Sequence, residues 1–93
     1  MILHTVNKSP FNNQAYDSCL RNLGADDVVL LLEDGVYGVL ALEEELPNNK
    51  VFALKGDIAA RGLGSKVPPQ VTVVDYPEFV QLACEASAVQ SWY

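Results

Sequence analysis

Apolar residues occupy four short runs along the chain, separated by polar turns. The runs cover residues 1–6, 28–32, 51–54 and 71–74, and they are rich in the β-branched and aliphatic residues found in strands. The run at 28–32 is apolar at every position, which is typical of a parallel strand covered on both faces. The pattern therefore predicts four strands, the second of them buried on both sides.

Between these strands, apolar residues recur at helical spacing. The first predicted helix begins near Asn12 or Asn13, which can cap it, and Gly24 ends it. Its apolar face consists of Ala15, Tyr16, Cys19, Leu20 and Leu23. The turn Asp34-Gly35 leads into a second helical stretch, whose apolar positions are Val36, Val39, Leu40 and Leu42. Residues 43–49 then form a polar connection to the third strand.

Two further helices are predicted after the third and fourth strands. Asp57 is expected to cap a short helix that runs to Arg61 and is closed by Gly62. The last helix begins near Asp75, and its apolar face consists of Phe79, Val80, Ala83 and Cys84. On this pattern, Cys84 is a core residue.

Strands that alternate with helices predict a parallel sheet with helices on both faces, joined by right-handed crossovers. The predicted fold class is α/β: a small three-layer α/β/α domain with a mostly parallel sheet of four strands, or of five. Residues 1–93 are expected to form one domain, because a chain of this length is too short for two. Helical cover over such a sheet is thin, which favours burial against partner subunits.

The apolar content is high for so short a chain. Apolar residues make up 49% of the sequence, yet a domain of this size buries only about 60–65% of its unfolded surface when it folds alone. The surplus favours a subunit interface over the alternative of an ordinary compact monomer.

The net charge of the chain limits the kinds of molecule that it is expected to bind. Twelve acidic residues against six basic ones give a net charge of −6, and no stretch gathers Lys or Arg into a stripe. An acidic surface repels phosphate backbones, so direct nucleic-acid binding is not expected. The chain also lacks a basic amphipathic helix, a signal-peptide pattern and an apolar run near the roughly 20 residues that span a bilayer. We therefore expect a cytoplasmic protein whose two cysteines are reduced.

Polar residues follow each predicted strand and should meet at one edge of the sheet. These residues are Asn7-Lys8-Ser9, Glu33-Asp34, Lys55-Gly56-Asp57 and Asp75-Tyr76. Such an edge can bind a small ligand or the polar groups of a partner. The structural alternative is stronger for Asp34, Asp57 and Asp75, which stand where helices need caps. Lys8 has no such duty, so it is the charge of greatest interest, with Asp34 as a further candidate contact.

Cys19 is the one candidate for chemistry by the chain itself. A thiol can act as a nucleophile when it is accessible and its pKa is lowered. However, Cys19 shares its helical face with Ala15, Tyr16 and Leu23, which favours a small buried hydrophobic residue. It also lies in the middle of the helix, away from the positive N-terminal end. Both interpretations stay open at this point.

Cofactor sites find no support in the sequence. His4 is the only histidine, and no C-x-x-C pair or phosphate-binding glycine loop is present, so neither metal nor nucleotide is expected. A nucleophile–base pair of Cys19 with His4 is one interpretation. A structural histidine, hydrogen-bonded within the sheet, is the favoured alternative. Trp92, the only tryptophan, is expected either to fold back onto the domain or to contact a partner.

Five segments, in order along nearly the whole chain, carry a family resemblance. They are Met1 through Phe11, Glu33-Asp34-Gly35-Val36-Tyr37, Ala59-Ala60-Arg61-Gly62-Leu63, Val74-Asp75-Tyr76 with Phe79-Val80, and Val89-Gln90-Ser91-Trp92. Together they resemble the DsrH/TusB family, small subunits of bacterial sulfur-relay complexes. In the DsrH branch a cysteine stands at the position matching Cys19, whereas many TusB members lack it.

The resemblance implies a DsrE/DsrF-like fold and a role in a heterohexamer. Its partners would be DsrE/TusD-like and DsrF/TusC-like homologous subunits, and the principal reactive cysteine would belong to the DsrE/TusD-like partner. Sulfur would pass to a DsrC/TusE-like acceptor. This subunit would mainly serve assembly, and whether it is itself an enzyme stays open.

Two pathways fit this resemblance. The first is 2-thiolation of the wobble uridine of tRNA. The alternative is a DsrH-type subunit in dissimilatory sulfur oxidation, with Cys19 as an active persulfide carrier. A third interpretation, outside the family, is an α/β module that binds a small ligand at the carboxyl edge of the sheet.

Overall fold

A five-stranded parallel sheet forms the centre of the computed structural model, which describes residues 1–41 and 48–93. The strands are β1 (Ile2–Val6), β2 (Val28–Leu31), β3 (Val51–Leu54), β4 (Val71–Val74) and β5 (Ala88–Trp92). Their order is β4-β3-β2-β1-β5, and each neighbouring pair runs parallel. The α/β class is therefore confirmed, with five strands rather than four.

The helices lie on both faces of this sheet. They are α1 (Ala15–Arg21), α2 (Lys55–Ala60) and α3 (Tyr76–Glu85), together with a 3-10 helix at Glu33–Leu40 and a 3-10 turn at Gly64–Lys66. The chain runs outward from β1 through β2 and β3 to β4, and α3 then returns it across the sheet to β5. As a result β1, the first strand, lies between β2 and the last strand.

The larger part of the core lies under α1, α2 and the 3-10 helix. Cys19 from α1, Val36 and Val39 from the 3-10 helix, and Ile58 from α2 pack here. The strand residues on this face are Val6, Val29, Leu31, Val51, Ala53 and Val71. Full burial of such a side chain stabilises the fold by about 1.5–3 kcal/mol, so this face dominates the stability of the domain.

The opposite face is covered more thinly. Leu3, Val28, Leu30 and Val74 are buried there, and the side chains that cover them include Phe79, Leu82 and Ala83 of α3 and Ala86, which caps the end of that helix. These four positions are spaced as one helical stripe. None of the α3 residues is itself fully buried. Cys84 lies beside the stripe and is exposed, so the prediction that it packs in the core was wrong.

The second helical stretch is a 3-10 helix rather than an α-helix. Glu33–Leu40 includes Gly35 and Gly38, which lower its propensity for the α-helical form. A side chain on Gly35 would overlap the carbonyl oxygen of Val6, and one on Gly38 would come within 2.6 Å of the Tyr16 ring. These glycines let the 3-10 helix lie directly against β1 and α1. Leu42 and the connection predicted at 43–49 fall partly outside the described residues, which resume at Asn48.

Helix caps follow the sequence prediction only in part. Asp75 caps α3 as predicted and forms a reciprocal capping box with Glu78, at 2.9 and 3.1 Å. Asp57 does not cap α2, because the helix begins directly after β3 and Asp57 is already its third residue. Asp34 likewise lies inside the 3-10 helix and does not cap it. Gly62, with φ of 65°, closes α2 as predicted.

At the first helix the predicted caps were shifted. The N-cap of α1 is Gln14, although the Asn13 side chain accepts a hydrogen bond from the Ala15 N–H at 2.7 Å. Its C-cap is Asn22 rather than a glycine. Gly24 lies further on, and its N–H is bonded to the Asp27 carboxylate.

Candidate functional site

Two polar clusters contain several of the residues singled out by the sequence, among them Asp34, Asp57, His4 and Trp92. The first lies at the carboxyl edge of the sheet, where Arg61 joins α2 to the 3-10 helix. Its Nε and Nη2 donate to Oδ1 of Asp34 at 3.0 and 2.9 Å, and its Nη1 lies 3.5 Å from Asp57 Oδ1. The guanidinium also stands over the ring of Tyr37, 6.0 Å from its centre. The hydrogen bond and charge of Asp34 hold the pKa of Arg61 above its usual range.

This cluster is a brace between two backbone segments. Besides its contact with Arg61, Asp57 accepts a hydrogen bond from the N–H of Glu33 at 2.7 Å. Glu33 needs such support because its φ is 50°, in the left-handed region that a non-glycine residue seldom adopts. Asp34 and Asp57 are therefore engaged in holding the 3-10 helix rather than standing free for a ligand. The side chain of Asp34 is nevertheless 61% exposed.

Lys8 lies apart from this brace, on the loop after β1. Its side chain is exposed, and its neighbour Ser9 is buried, with an Oγ that accepts from the Phe11 N–H at 3.3 Å. Near the same edge, a shallow groove of about 490 Å³ runs between the ends of β3 and β4. The groove is lined by Leu54, Lys55, Gly56, Asp57, Ala59, Asp75 and Tyr76. Lys8 is not among these residues, so the polar groups expected to meet at this edge do not form one site.

Cys19 is fully buried under α1. Its burial, and secondly the charge of Asp27, raise the pKa of the thiol to about 12. A thiol with so high a pKa stays protonated at pH 7, whereas the thiolate is the nucleophilic form. In this structure Cys19 behaves as a small apolar side chain.

The second cluster is a chain of hydrogen bonds through His4. The indole Nε1–H of Trp92 donates to His4 Nδ1 at 3.0 Å, and His4 Nε2 lies 2.9 Å from Asp27 Oδ2. An indole N–H only donates and a carboxylate only accepts, so the ring proton of His4 is on Nε2. The His4 and Trp92 rings are stacked, with centres 6.1 Å apart. His4 is thus a structural histidine, as the favoured prediction held.

Asp27 is the residue that sequence reasoning missed. Its carboxylate accepts from His4, from the Gly24 N–H at 2.9 Å and from the Ile2 N–H at 3.1 Å. These hydrogen bonds, that from His4 first, lower the pKa of Asp27 to about 2. The signal in the sequence was a carboxylate one position before the buried run that begins at Val28.

The pairing of Cys19 with His4 as nucleophile and base is not realised. Both ring nitrogens of His4 are bonded, one to Trp92 and the other to Asp27. No lone pair is left to take a proton from the thiol. The chain's one thiol of interest therefore lies close to a polar cluster without being activated by it.

Neither a metal site nor a membrane-spanning helix occurs within residues 1–41 and 48–93. No group of three or more His, Cys, Asp or Glu side chains in that range is placed to hold a metal ion. Nor does any helix there have the length and apolar character needed to cross a bilayer.

The fold is shared with two solved structures. The ychN protein of E. coli superposes with a TM-score of 0.81, over 98% of this chain and 97% of that one, at 21% sequence identity. Protein Tm0979 of Thermotoga maritima gives a TM-score of 0.68 at 30% identity, over 88% and 90% of the two chains. The first likeness concerns the fold alone.

Sequence comparison extends the likeness to a family. Residues 8–89 match the family described as "DsrH like protein". Protein TusB of Enterobacter sp. (strain 638) is 40% identical over 96 residues, covering 98% of this chain and all of the relative. Protein TusB of Erwinia tasmaniensis is 42% identical over 97 residues, with the same coverage. The chain therefore belongs to the DsrH family, together with proteins named TusB.

Proposed function

We propose that this chain is an assembly subunit of a cytoplasmic sulfurtransferase complex that relays persulfide sulfur to an acceptor protein. Its family membership supports the sulfur-relay context. The observation that carries the assembly role is the state of Cys19, which is buried and has a pKa raised to about 12. A persulfide carrier needs an accessible thiolate, so the main reactive cysteine is proposed to lie on another subunit.

The proposed partners are a DsrE/TusD-like and a DsrF/TusC-like subunit, arranged with this chain as a heterohexamer. The sulfur acceptor would be DsrC/TusE-like, and the end product would be the 2-thiolated wobble uridine of tRNA. The net charge of −6 is in accord with a subunit that does not itself touch tRNA.

Exposed apolar side chains support the assembly role. Tyr76 and Val80, four residues apart on α3, are 64% and 46% exposed, and Val73 at the end of β4 is 38% exposed. A partner that covered this side of α3 would also complete the thin layer over the second face of the sheet. Lys8 and Asp34, both exposed at the carboxyl edge, are proposed polar contacts. Trp92 is half-buried against His4, so its contact with a partner is proposed only for the outer edge of the indole.

Co-expression with the two homologous subunits tests assembly. We expect a stable complex on size-exclusion chromatography, and we expect Val80→Lys to weaken it because a charge would enter an apolar interface. Gln81→Lys is the matched control, since Gln81 is the exposed next residue of the same helix. A native-like complex of the Val80 variant would reject this side of α3 as the interface. Failure of the wild-type chain to bind either subunit would reject the assembly role itself.

Persulfide mapping tests where the sulfur resides. After the complex is loaded with sulfur, mass spectrometry should find persulfide on a partner's cysteine and not on Cys19. Cys19→Ser should leave most transfer to the acceptor intact, as should the control Cys84→Ser at the exposed thiol. Stoichiometric persulfide on Cys19, with loss of transfer in its Ser variant, would establish the alternative of an active carrier, as in sulfur oxidation.

A further inference from the structure

The hydrogen-bond chain from Trp92 through His4 to Asp27 joins β5 to β1. It can form only when the His4 ring is neutral. The Nε1–H of Trp92 donates to Nδ1 of His4 at 3.0 Å, and the Nε2–H of His4 donates to the Asp27 carboxylate at 2.9 Å. Because the indole can only donate, His4 must offer a lone pair at Nδ1. Docked Trp92 therefore requires a neutral imidazole.

Protonation of His4 would place a second donor against the indole. The new Nδ1–H would point at the Nε1–H of Trp92, with no acceptor between them. His4 is only 4% exposed, so water has little access to replace the lost partner. The bond to Asp27, by contrast, becomes an ion pair and is retained. Of its two partners, an imidazolium keeps the carboxylate and rejects the indole.

The remaining surroundings of His4 are uncharged. Asp27 is the one charged group among the described residues that contacts the ring. Cys19, which α1 brings near Asp27, is a neutral thiol. The strand residues in register with His4 are Val29 on β2 and Gln90 on β5. The charged side chains of α1 are exposed, namely Asp17 and Arg21.

The two ends of β5 are held differently. At its start, Ser87 donates from N–H and Oγ to the carbonyl oxygen of Met1, at 2.9 and 2.8 Å, and neither bond involves a titrating group. At its end, the side-chain contacts include a Thr5–Ser91 hydroxyl bond at 3.2 Å, the bond and ring stacking of Trp92 with His4, and the packing of Trp92 against the larger core cluster. Of these contacts, the bond of Trp92 to His4 is the one that a proton can break, and its loss would loosen the carboxyl end of the strand and leave its start in place.

We propose that Trp92, His4 and Asp27 form a proton-operated latch, which holds the carboxyl end of β5 when His4 is neutral and releases it when His4 is protonated. The latch does not depend on the function proposed above. It makes the exposure of Trp92 and Tyr93, at the carboxyl end of an edge strand, depend on the protonation of His4. His4 is the one histidine of the sequence, so a single side chain would operate the latch.

Fluorescence of the single tryptophan tests the latch directly. Between pH 8 and pH 5 we expect the emission of Trp92 to shift to longer wavelength and its quenching by acrylamide to increase, while far-UV circular dichroism stays unchanged. Intensity alone is not used, because a nearby imidazolium can quench indole without any movement. Constant wavelength and quenching, with protonated His4 seen by nitrogen NMR, would overturn the proposal.

Two substitutions separate the two bonds of His4. In His4→Asn, an amide oxygen near the Nδ1 position can accept from the indole and does not titrate, so Trp92 should stay docked at both pH values. In His4→Gln, the amide near the Nε2 position keeps Asp27 but offers the indole no partner, so Trp92 should be released at both. A pH-dependent transition that persists in His4→Asn would overturn the latch.

Hydrogen exchange in the unmodified chain needs no variant. After correction for intrinsic rates, amides of Ser91, Trp92 and Tyr93 that are protected at pH 8 should lose protection at pH 5 relative to those of β2. Equal retention of protection at both ends of β5, again with His4 protonated, would refute the proposal even if the variants fail to fold.

Discussion

Gly35→Ala is expected to be the most damaging of the glycine substitutions, although it adds one methyl group. The added Cβ would overlap the carbonyl oxygen of Val6, which already accepts a hydrogen bond from the Leu32 N–H at 3.1 Å. The obstacle is backbone and cannot rotate away. The clash can be relieved only by moving the 3-10 helix away from β1 or by breaking that hydrogen bond.

The magnitude follows from this geometry. Overpacking a well-packed core typically lowers the free energy of unfolding by about 1–3 kcal/mol. Because the obstacle here is backbone, we expect a loss at the upper end of this range, about 3 kcal/mol. A domain of this length has a total stability of roughly 5–14 kcal/mol. Each kcal/mol shifts the Tm of such a domain by about 4–8 °C, so the variant should melt some ~12–24 °C below the wild type.

Gly56→Ala is the matched control. No atom lies within 4 Å of the Cβ position there, and Gly56 lies in the first turn of α2 without a positive φ. Alanine at this site should stabilise the fold by about 0.4–1 kcal/mol, because it reduces the freedom of the unfolded chain. Urea unfolding followed by circular dichroism measures both variants. If the free energy of unfolding of Gly35→Ala equalled that of the wild type within experimental error, the close contact of the 3-10 helix with β1 would be wrong.

Three further outcomes are expected. In the folded protein a thiol reagent should modify Cys84 rapidly and Cys19 only on unfolding, and equal labelling rates would contradict the burial of Cys19. Cys19→Ser should lower the free energy of unfolding by about 1–2 kcal/mol, because it buries a hydroxyl. The pKa of Asp27 is about 2 in the folded state against an ordinary 3.8, so the unfolded state binds more protons between these values. The stability that Asp27 contributes is therefore complete above about pH 4–5 and is lost as the pH falls toward about 2. Asp27→Asn should flatten this part of the curve of unfolding free energy against pH. An unchanged slope in the variant would refute the assignment. Finally, the isolated chain should show no measurable tRNA binding at physiological salt, and micromolar, salt-sensitive affinity in a filter-binding assay would contradict the charge argument.

The alternation of strands and helices was readable from the sequence because each strand is short and apolar. β5, in contrast, was not among the four strands that the apolar pattern predicted. Its sequence, Ala88 through Trp92, has few β-branched residues and is largely exposed, so neither of the usual signals of a strand is present. Its strand character comes from pairing with β1, which lies far away in sequence.

The errors at helix starts have a common cause. The sequence prediction placed a capping residue before each helix, Asn12 or Asn13 at the first and an aspartate at the later ones, as it would after a linker. In the structure Leu54 ends β3 and is also the N-cap of α2, so Asp57 lies three residues beyond the capping position. Its carboxylate instead bonds the backbone of Glu33 across to another element, and no local pattern reports such a contact.

The candidate site was predicted in its components but not in its connections. Burial of Cys19 and the structural role of His4 follow from the apolar positions around them. Cys84 was misplaced because α3 meets the sheet through Phe79, Leu82 and Ala83, whereas the predicted face combined Phe79 and Ala83 with Val80 and Cys84. The direction a helix faces is set by the sheet beneath it, which the helix sequence alone does not specify when apolar residues stand on two adjacent stripes.

The place of β1 between β2 and β5 has a consequence for how the chain reaches its fold during synthesis. The hydroxyl bond from Thr5 to Ser91 joins residues 86 positions apart, so one side of β1 stays without its partner strand until residues 88–92 have been made. Closing so long a loop is entropically costly, and folds dominated by such distant contacts form slowly. Through that interval β1 offers an open edge to any other nascent strand, including β5 of a neighbouring copy. Exchange of β5 between two copies is accordingly the misfolding route most open to this topology, and slowing the release of residues 88–92 should increase the yield of intertwined dimers.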